Sequence, residues 1–334
     1  MAMVLLAAAT GCHSRKDAPA TAFYYWKTVF EPDSVQQILL QQAAGQRLYL
    51  RLFDVDWNAE RKQAMPNAIV HFVQPAVHLH ITPVVFITNR TLENLPATGI
   101  DSLARQTDTL IRQIAARANL NYTAIQIDCD WTLTTRDKYF QYLRTLRQHS
   151  GKLLQTTIRL HQIKYKERTG VPPADKGVLM FYNMGHLNAR VQSPSSIYNK
   201  ADAAKYLTSL PRYPLPLDVA LPVFSWVVHT RSGKVIQLYS NIRRAQLENR
   251  QRFEPLGKHA FRARSSFFMA GVYIKENDIL KAEETGREIA EKAARQLAAY
   301  LPPLQSRTII YYELSTLDPE EYQVEDILDL TDYF

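Results

Sequence analysis

The chain has 334 residues, 46% of them hydrophobic and 22% charged, with only 11 glycines. That balance suits a large α/β domain with a full core, and it excludes disordered and collagen-like architectures. The formal charge of +8 is unevenly spread, with nine Lys/Arg from Arg136 to Arg168 against Asp137 and Glu167, and nine more from Arg231 to Arg264 against Glu248 and Glu254. From Glu313 onward the sign reverses, with eight acids and no base. Basic stretches of this kind read as solvated faces with an attraction for anionic headgroups or acidic polysaccharide. No nucleic-acid-binding module is recognisable, so no nucleic-acid partner is expected.

Residues 2–11 are small, apolar and uncharged, and they lead into Ala9-Thr10-Gly11-Cys12. This resembles a bacterial lipobox, in which the cysteine is lipidated and becomes the mature N-terminus. The expected organisation is a signal peptide over residues 1–12 with Cys12 lipidated, a polar tether over 13–22, and one domain over 23–334. Such a protein would be held to a membrane of the bacterial cell envelope by its lipid, at the outer membrane or on the periplasmic side. With Cys12 acylated, Cys129 is the other thiol of the chain, and an intrachain disulfide is not expected. No later segment has the run of uncharged apolar residues that a membrane span needs.

Strand-like and helix-like runs then alternate. Phe23–Phe30 reads as a strand, and Asp33-Ser34 opens a helix that runs through Ala44 and stops at Gly45. Arg47–Trp57 and His80–Thr88 read as strands. Asp101–Ala118 is helical, with Leu103, Leu110, Ile111 and Ile114 on one side. Ala124–Trp131 is the next strand, and Thr135–His149 a helix with Tyr139, Tyr142, Leu143 and Leu146 in register. Leu153–Leu160 and Val178–Met184 are strands, Asn199–Leu207 a short helix and Val219–Val228 a strand. A basic, β-rich insertion follows over about 230–278, then a long helix over Ile279–Leu301 and a last strand over Arg307–Leu314.

Eight strands interleaved with helices predict parallel pairing and closure into a (β/α)8 TIM barrel, with the insertion between strand seven and the last helix. A doubly wound open sheet is the alternative, weakened by the absence of a Gly-rich phosphate loop after the first strand. In a barrel the chemistry gathers at the C-terminal ends of the strands. There the sequence offers Trp26 and Lys27, Asp54, Asp56 and Trp57, Asp128 and Asp130, Arg159 and His161, Tyr182 and Asn183, Trp226 and His229, and Glu313.

Ile125-Gln-Ile-Asp128-Cys-Asp130-Trp131-Thr132 is the most distinctive of these segments. In a strand, residues two apart share a face, so Gln126, Asp128 and Asp130 form a polar row opposite Ile125, Ile127, Cys129 and Trp131. Adjacent acids raise each other's pKa and bind polar ligands. Carboxylates among indoles and phenols are the residue mix of a sugar site. Parity on strand two stays open: if Asp54 and Asp56 face the axis, so do Leu48, Leu50 and Leu52, whereas the opposite parity puts Arg51 inside and turns both acids outward. His78 and His80 precede a strand and fall toward the barrel bottom. No compact ligand spacing points to a metal, and no cofactor is expected.

Asp128-Cys129-Asp130-Trp131-Thr132 resembles the fourth-strand signature of family 18 glycoside hydrolases, the chitinase-like barrels, at Asp128, Asp130 and Trp131. Ile125 stands where that signature has its first Asp, and Thr132 where it has the catalytic Glu, which a threonine cannot replace as an acid. The Ile-Gln-Ile-Asp-x-Asp strand and the later Tyr273–Asp278 piece are also similar to domain of unknown function family 3142. Together these resemblances imply a barrel and a glycan-related role. The resulting expectation is a glycoside hydrolase-like envelope lipoprotein, monomeric, that binds a carbohydrate and hydrolyses it with Asp128, Asp130 and Glu313. Trp26, Lys27, Asp54, Asp56, Trp131, Arg159, Tyr182, Asn183 and Trp226 would contact the glycan. The alternative expectation is a non-catalytic glycan-binding or structural lipoprotein that has lost the general acid.

Overall fold

The computed structural model describes residues 18–304 and 306–334, so Cys12 and the leader lie outside the described residues. Eight parallel strands close into a barrel: β1 (Ala20–Tyr25), β2 (Arg47–Asn58), β3 (His80–Ile87), β4 (Ala124–Asp128), β5 (Leu153–Arg159), β6 (Lys176–Met180), β7 (Leu217–Pro222) and, at the end of the chain, β15 (Thr308–Tyr312). Closure comes from β1, which pairs with β15 on one side and β2 on the other. The (β/α)8 barrel expected from the alternation is what forms.

The helices follow from amphipathic stripes. In α1 (Ser34–Gln42), Asp33 caps the first turn in a reciprocal capping box with Gln36 and turns Leu39 and Leu40 inward. α2 (Ile100–Ala118) buries Leu103, Ile111 and Ile114 and ends on left-handed Asn119. α3 (Arg136–Ser150) buries Tyr139, Tyr142, Leu143 and Leu146. Two further helices, α4 (Lys200–Leu207) and α5 (Arg287–Ala298), lie in the later crossovers, and α6 (Val324–Thr331) follows β15. The connection from β2 to β3 has no helix; it carries a strand, Gln63–Asn67, antiparallel to the end of β2. Val73 and Val77 in that connection are left exposed.

Three predicted elements divide differently. Phe23–Phe30 is β1 plus a separate short strand, Val29–Phe30, that pairs with His71–Phe72. The Val219–Val228 run is two strands in two sheets: β7 stops at Pro222, and β8 (Trp226–Arg231) starts the insertion. Both pieces are apolar on both faces, so hydropathy does not show the break. The helix expected from Ile279 begins only after Gly286, because Ile279–Glu283 is a strand, β14, paired antiparallel with β8. Lys281 and Glu283, two apart, share one face of it and pair at 3.0 Å.

The insertion is a five-stranded antiparallel sheet ordered β9 (Lys234–Tyr239), β8, β14, β11 (Ala260–Ala263), β10 (Phe253–Pro255). A separate hairpin, β12 (Phe267–Met269) with β13 (Val272–Ile274), projects from it. Its own core holds Val227, Phe253, Phe261, Leu280 and Ala282. Buried Asp278 locks it, taking Arg231 at 2.8 and 2.7 Å, His229 Nε2 at 2.8 Å and the Lys275 N–H at 2.7 Å. Burial pushes against the charge of Asp278, but those donors hold its carboxyl down at about 2.

Strand parity then sorts the barrel. Residues such as Leu48, Leu50, Ile125, Ile127 and Ile309 face the helices, whereas Ala22, Tyr24, Tyr49, Val84, Val178, Met180, Ala220 and Ile310 fill the interior. Gly177 at the start of β6 sits where a Cβ would meet Leu217 at 2.8 Å and Ile158 at 2.9 Å. Gly177→Ala is expected to cost about 1–3 kcal/mol by overpacking. Urea unfolding measures this, and an unchanged midpoint would show that the β5–β7 contact is looser than described.

Candidate functional site

At the C-terminal end of the barrel the interior rows change from aliphatic to aromatic and charged. Tyr312, the last residue of β15, lies at the hub of this floor. Its ring stacks on Tyr182 at 5.0 Å and meets the edges of Tyr24, Trp26 and Phe224 at 5.6 Å each. Trp226 continues the cluster through Phe224 at 5.2 Å. Ile197, from the loop after β6, belongs to the same buried cluster. That loop is fixed by the insertion: Glu283 accepts from the Ser196 N–H at 2.9 Å and Trp226 Nε1 at 3.1 Å, and Lys281 donates to the Ser193 carbonyl at 2.6 Å.

Asp128 and Asp130 share the polar row of strand four but have different surroundings. Asp128 is buried, 6% exposed, and its Oδ1 accepts from Thr157 Oγ1 at 2.6 Å. Burial pushes its carboxyl up to about 6, the neighbouring Asp130 adding to the rise and Arg159 and Thr157 opposing it. Asp130 is more than half exposed and holds Arg159 in a two-pronged pair at 2.7 and 3.1 Å. Although burial works against the Arg159 charge, Asp130 and then Asp128 hold it above the usual arginine range. Asp130, Arg159, His161, Tyr182 and Asn183 line an open cleft of about 360 Å³. One acid is therefore placed to hold a proton up to about pH 6, and the other to meet solvent as one half of an ion pair.

The parity question on β2 is answered by a bulge. The pairing with β3 shifts register between Arg51 and Phe53, so Leu52 and Phe53 both turn toward the helices. Leu48 and Leu50 also face the helices, and Tyr49 and Arg51 face inward. Beyond the bulge Asp54 faces inward as well, with Arg51 Nη1 at 3.3 Å from its Oδ2. Both strand-two alternatives thus hold in part, because the extra residue lets a base and an acid enter from one strand. The Arg51 guanidinium lies 5.5 Å from the centre of the Trp26 ring. Burial raises the Asp54 carboxyl, and Arg51 partly offsets the rise. Asp56 is drawn aside by Thr88 at 2.8 Å and by Arg90.

Several expected contacts lie elsewhere. Trp131 is 3% exposed, stacks on Tyr139 at 5.2 Å and donates to the Thr169 carbonyl at 3.0 Å. It packs behind β4 against α3, as its place in the apolar row requires, and not in the mouth. Glu313 is buried, and its carboxylate serves as a cap, taking the Trp26 N–H at 3.1 Å, the Ser315 N–H at 3.3 Å and the Ser315 hydroxyl at 2.6 Å. It thereby joins the ends of β1 and β15. Lys27 is exposed beyond β1, whereas Asn183 stays at the cleft, exposed and with a left-handed φ of 51°. Trp57 lies partly buried at the hairpin end of β2. His229 is in the insertion core, and His80 lines a cleft at the opposite end of the barrel with Arg47 and Thr308.

Sequence reasoning passed over Tyr24, Thr157, Phe224 and Tyr312, and left the direction of Arg51 open. Tyr24 is readable by parity from Trp26, and Thr157 from Arg159. Tyr312 is not, because Ile309-Ile310-Tyr311-Tyr312 is apolar on both faces. Among the described residues, no group of three or more His, Cys, Asp or Glu is arranged to hold a metal ion, and no helix is long and apolar enough to cross a membrane.

No family model matches the sequence, and no curated protein matches it. Solved structures do match. The spore cortex-lytic enzyme SleL of Bacillus cereus is 14% identical with a TM-score of 0.54, over 96% of this chain and 75% of that one. The chitinase-like agglutinin RobpsCRA of Robinia pseudoacacia is 11% identical with a TM-score of 0.52, over 92% of this chain and 98% of that one. At these identities the likeness is one of fold, and it extends over nearly the whole of this chain.

Proposed function

We propose that the protein binds a glycan at the C-terminal mouth of its barrel. The observation that carries this reading is the open cleft formed by Asp130, Arg159, Tyr182 and Asn183 beside an aromatic floor. Sugars are recognised in such sites by ring stacking and by hydroxyls shared between acids and bases. The two fold neighbours fit either outcome for such a mouth, since one is named a lytic enzyme and the other an agglutinin. Attachment to the cell envelope through Cys12 belongs to the same reading and is tested by metabolic labelling with a fatty acid, lost in Cys12→Ser.

Hydrolysis is a second reading, favoured by one specific observation: Asp128 is a carboxyl in the mouth whose pKa is lifted to about 6. A general acid must hold its proton near the working pH. Asp54, inward-facing from β2, is the carboxylate we assign as its partner, in place of Glu313, whose oxygens are committed to capping. Thr132 contributes no acid; its hydroxyl bonds to Thr134 at 2.9 Å.

Binding and release separate the readings. Asp130→Ala is expected to weaken glycan affinity by about tenfold or more, since it removes a charge-assisted contact and frees Arg159. Calorimetry over a panel of envelope and wall glycans measures it. Unaltered affinity for every binder in the panel would remove the cleft from consideration. If the wild type releases reducing ends, the rate should fall as pH rises through about 6, and Asp128→Asn should abolish release while sparing binding. No release by the wild type leaves binding alone as the function.

Asp128 also makes a prediction that needs no substrate. Its folded pKa lies above the ordinary carboxylate value, so between about 4 and 6 the native state holds a proton that the unfolded chain has lost. Stability from this group is therefore present at low pH and declines as pH rises through that window. Asp128→Asn should remove the decline and stabilise the fold above pH 6 by about 2 kcal/mol. Melting temperatures of both proteins across pH 4–8 check it, and parallel curves would mean that Asp128 is not desolvated as described.

A further inference from the structure

The hairpin that projects from the insertion carries a feature that the barrel mouth does not use. Its strands β12 and β13 pair only with each other, and its turn residues Ala270 and Gly271 are exposed. Phe268 is 73% exposed, the highest value among the exposed large hydrophobic residues, and its cross-strand partner Tyr273 is 46% exposed. The two rings touch at 5.2 Å and form one patch. Burying them in the core would be ordinary, so their outward placement calls for a partner.

The surroundings of the patch are basic. Exposed Arg264 and Lys275 flank the hairpin in sequence, whereas Arg252 lies over the ring of Phe267, on the hairpin's other, core-packed face, at 5.0 Å. The Arg231 guanidinium lies close enough to Tyr273 to feel its presence. Asp278, the acid nearest this group, is buried and consumed by Arg231 and His229, which leaves Glu276 as the exposed acid of the segment. An aromatic pair at a tip within a collar of cations matches the layered chemistry of an anionic bilayer surface. There, rings settle at the headgroup level and Arg or Lys meets phosphate. Two rings on a lone hairpin are far short of the roughly 800 Å² per partner that a stable protein interface buries. A sugar cleft would call for concavity and neutral hydrogen-bonding side chains, which the tip does not offer.

We propose that the Phe267–Ile274 hairpin docks the protein on anionic phospholipid headgroups, with Phe268 and Tyr273 entering the interface and Arg264 and Lys275 contacting phosphate. This contact is independent of the glycan reading and of the lipid anchor expected at Cys12. The test is co-sedimentation of the full, unacylated chain with vesicles of phosphatidylcholine alone or with about one-third phosphatidylglycerol. Phe268→Ser and Lys275→Glu carry the same N-terminus as the wild type, so differences among the three report the hairpin alone. Both side chains are exposed, and thermal melting confirms that the folds are equal.

Wild type should bind the anionic vesicles more tightly than the neutral ones. Phe268→Ser should lose roughly tenfold in affinity through the lost apolar contact, and Lys275→Glu a similar factor that shrinks in high salt. Equal binding of wild type and both variants, or no preference for anionic vesicles, overturns the proposal. Concentration-dependent self-association of the wild type that Phe268→Ser abolishes overturns it too, and assigns the patch to a second copy of the chain.

Discussion

Closure of the eight parallel strands is the constraint from which the site follows. Once β1 pairs with both β2 and β15, every strand has an inside and an outside, and side chains alternate between them. The outside is covered by helices, and the inside is too narrow for helices and must fill itself. Toward the bottom it does so with residues such as Ala22, Val84, Val178 and Ala220. Toward the top the same rows present Tyr24, Trp26, Asp128, Arg159, Tyr182 and Tyr312, so aromatic rings and charges meet because they sit at equal heights on neighbouring strands. The bulge in β2 is the exception that enlarges the set. By spending one extra residue against the helices, it admits both Arg51 and Asp54 to the mouth.

Much of this was legible in the sequence wherever one face of a strand was polar. The row Gln126, Asp128, Asp130 lies as period-two alternation requires, and the capping residues Asp33 and Asn199 mark helix starts that the structure reproduces. Legibility failed where both faces were apolar. The run from Val219 to Val228 conceals a change of sheet, and the run before Glu313 conceals which tyrosine faces the axis. The bulge at Leu52 and Phe53 carries no glycine and therefore no local signal. Trp131 teaches a different lesson. Its parity already placed it with Ile125 and Ile127, and its proximity to two acids in sequence said nothing about proximity in space.

The insertion bears on the site through a single buried joint. Lys281 and Glu283 emerge on the face of β14 turned to the barrel, and between them they hold the backbone at Ser193 and Ser196 and the indole of Trp226. Burying an ion pair is costly unless its remaining hydrogen-bonding capacity is filled, and here serine hydroxyls, carbonyls and an indole fill it. The consequence is positional. The loop that carries Ile197 into the aromatic cluster is held by the antiparallel sheet of the insertion, from outside the barrel.

The two acids of strand four differ first in burial, which lifts the Asp128 carboxyl, and then in the partners they take from one strand away. Thr157 and Arg159 stand two apart on β5 and so share its inner face. The short hydroxyl of Thr157 reaches only the deeper acid, Asp128, and the long guanidinium of Arg159 reaches out to Asp130. Burial raises the proton affinity of Asp128 against the pull of Thr157 and Arg159, while Asp130 stays at the solvent edge beside a cation. The β5 side chains thus sort the two acids, holding one inside the barrel and drawing the other to the rim. Thr132 spends its hydroxyl on Thr134 and brings no carboxyl to this row.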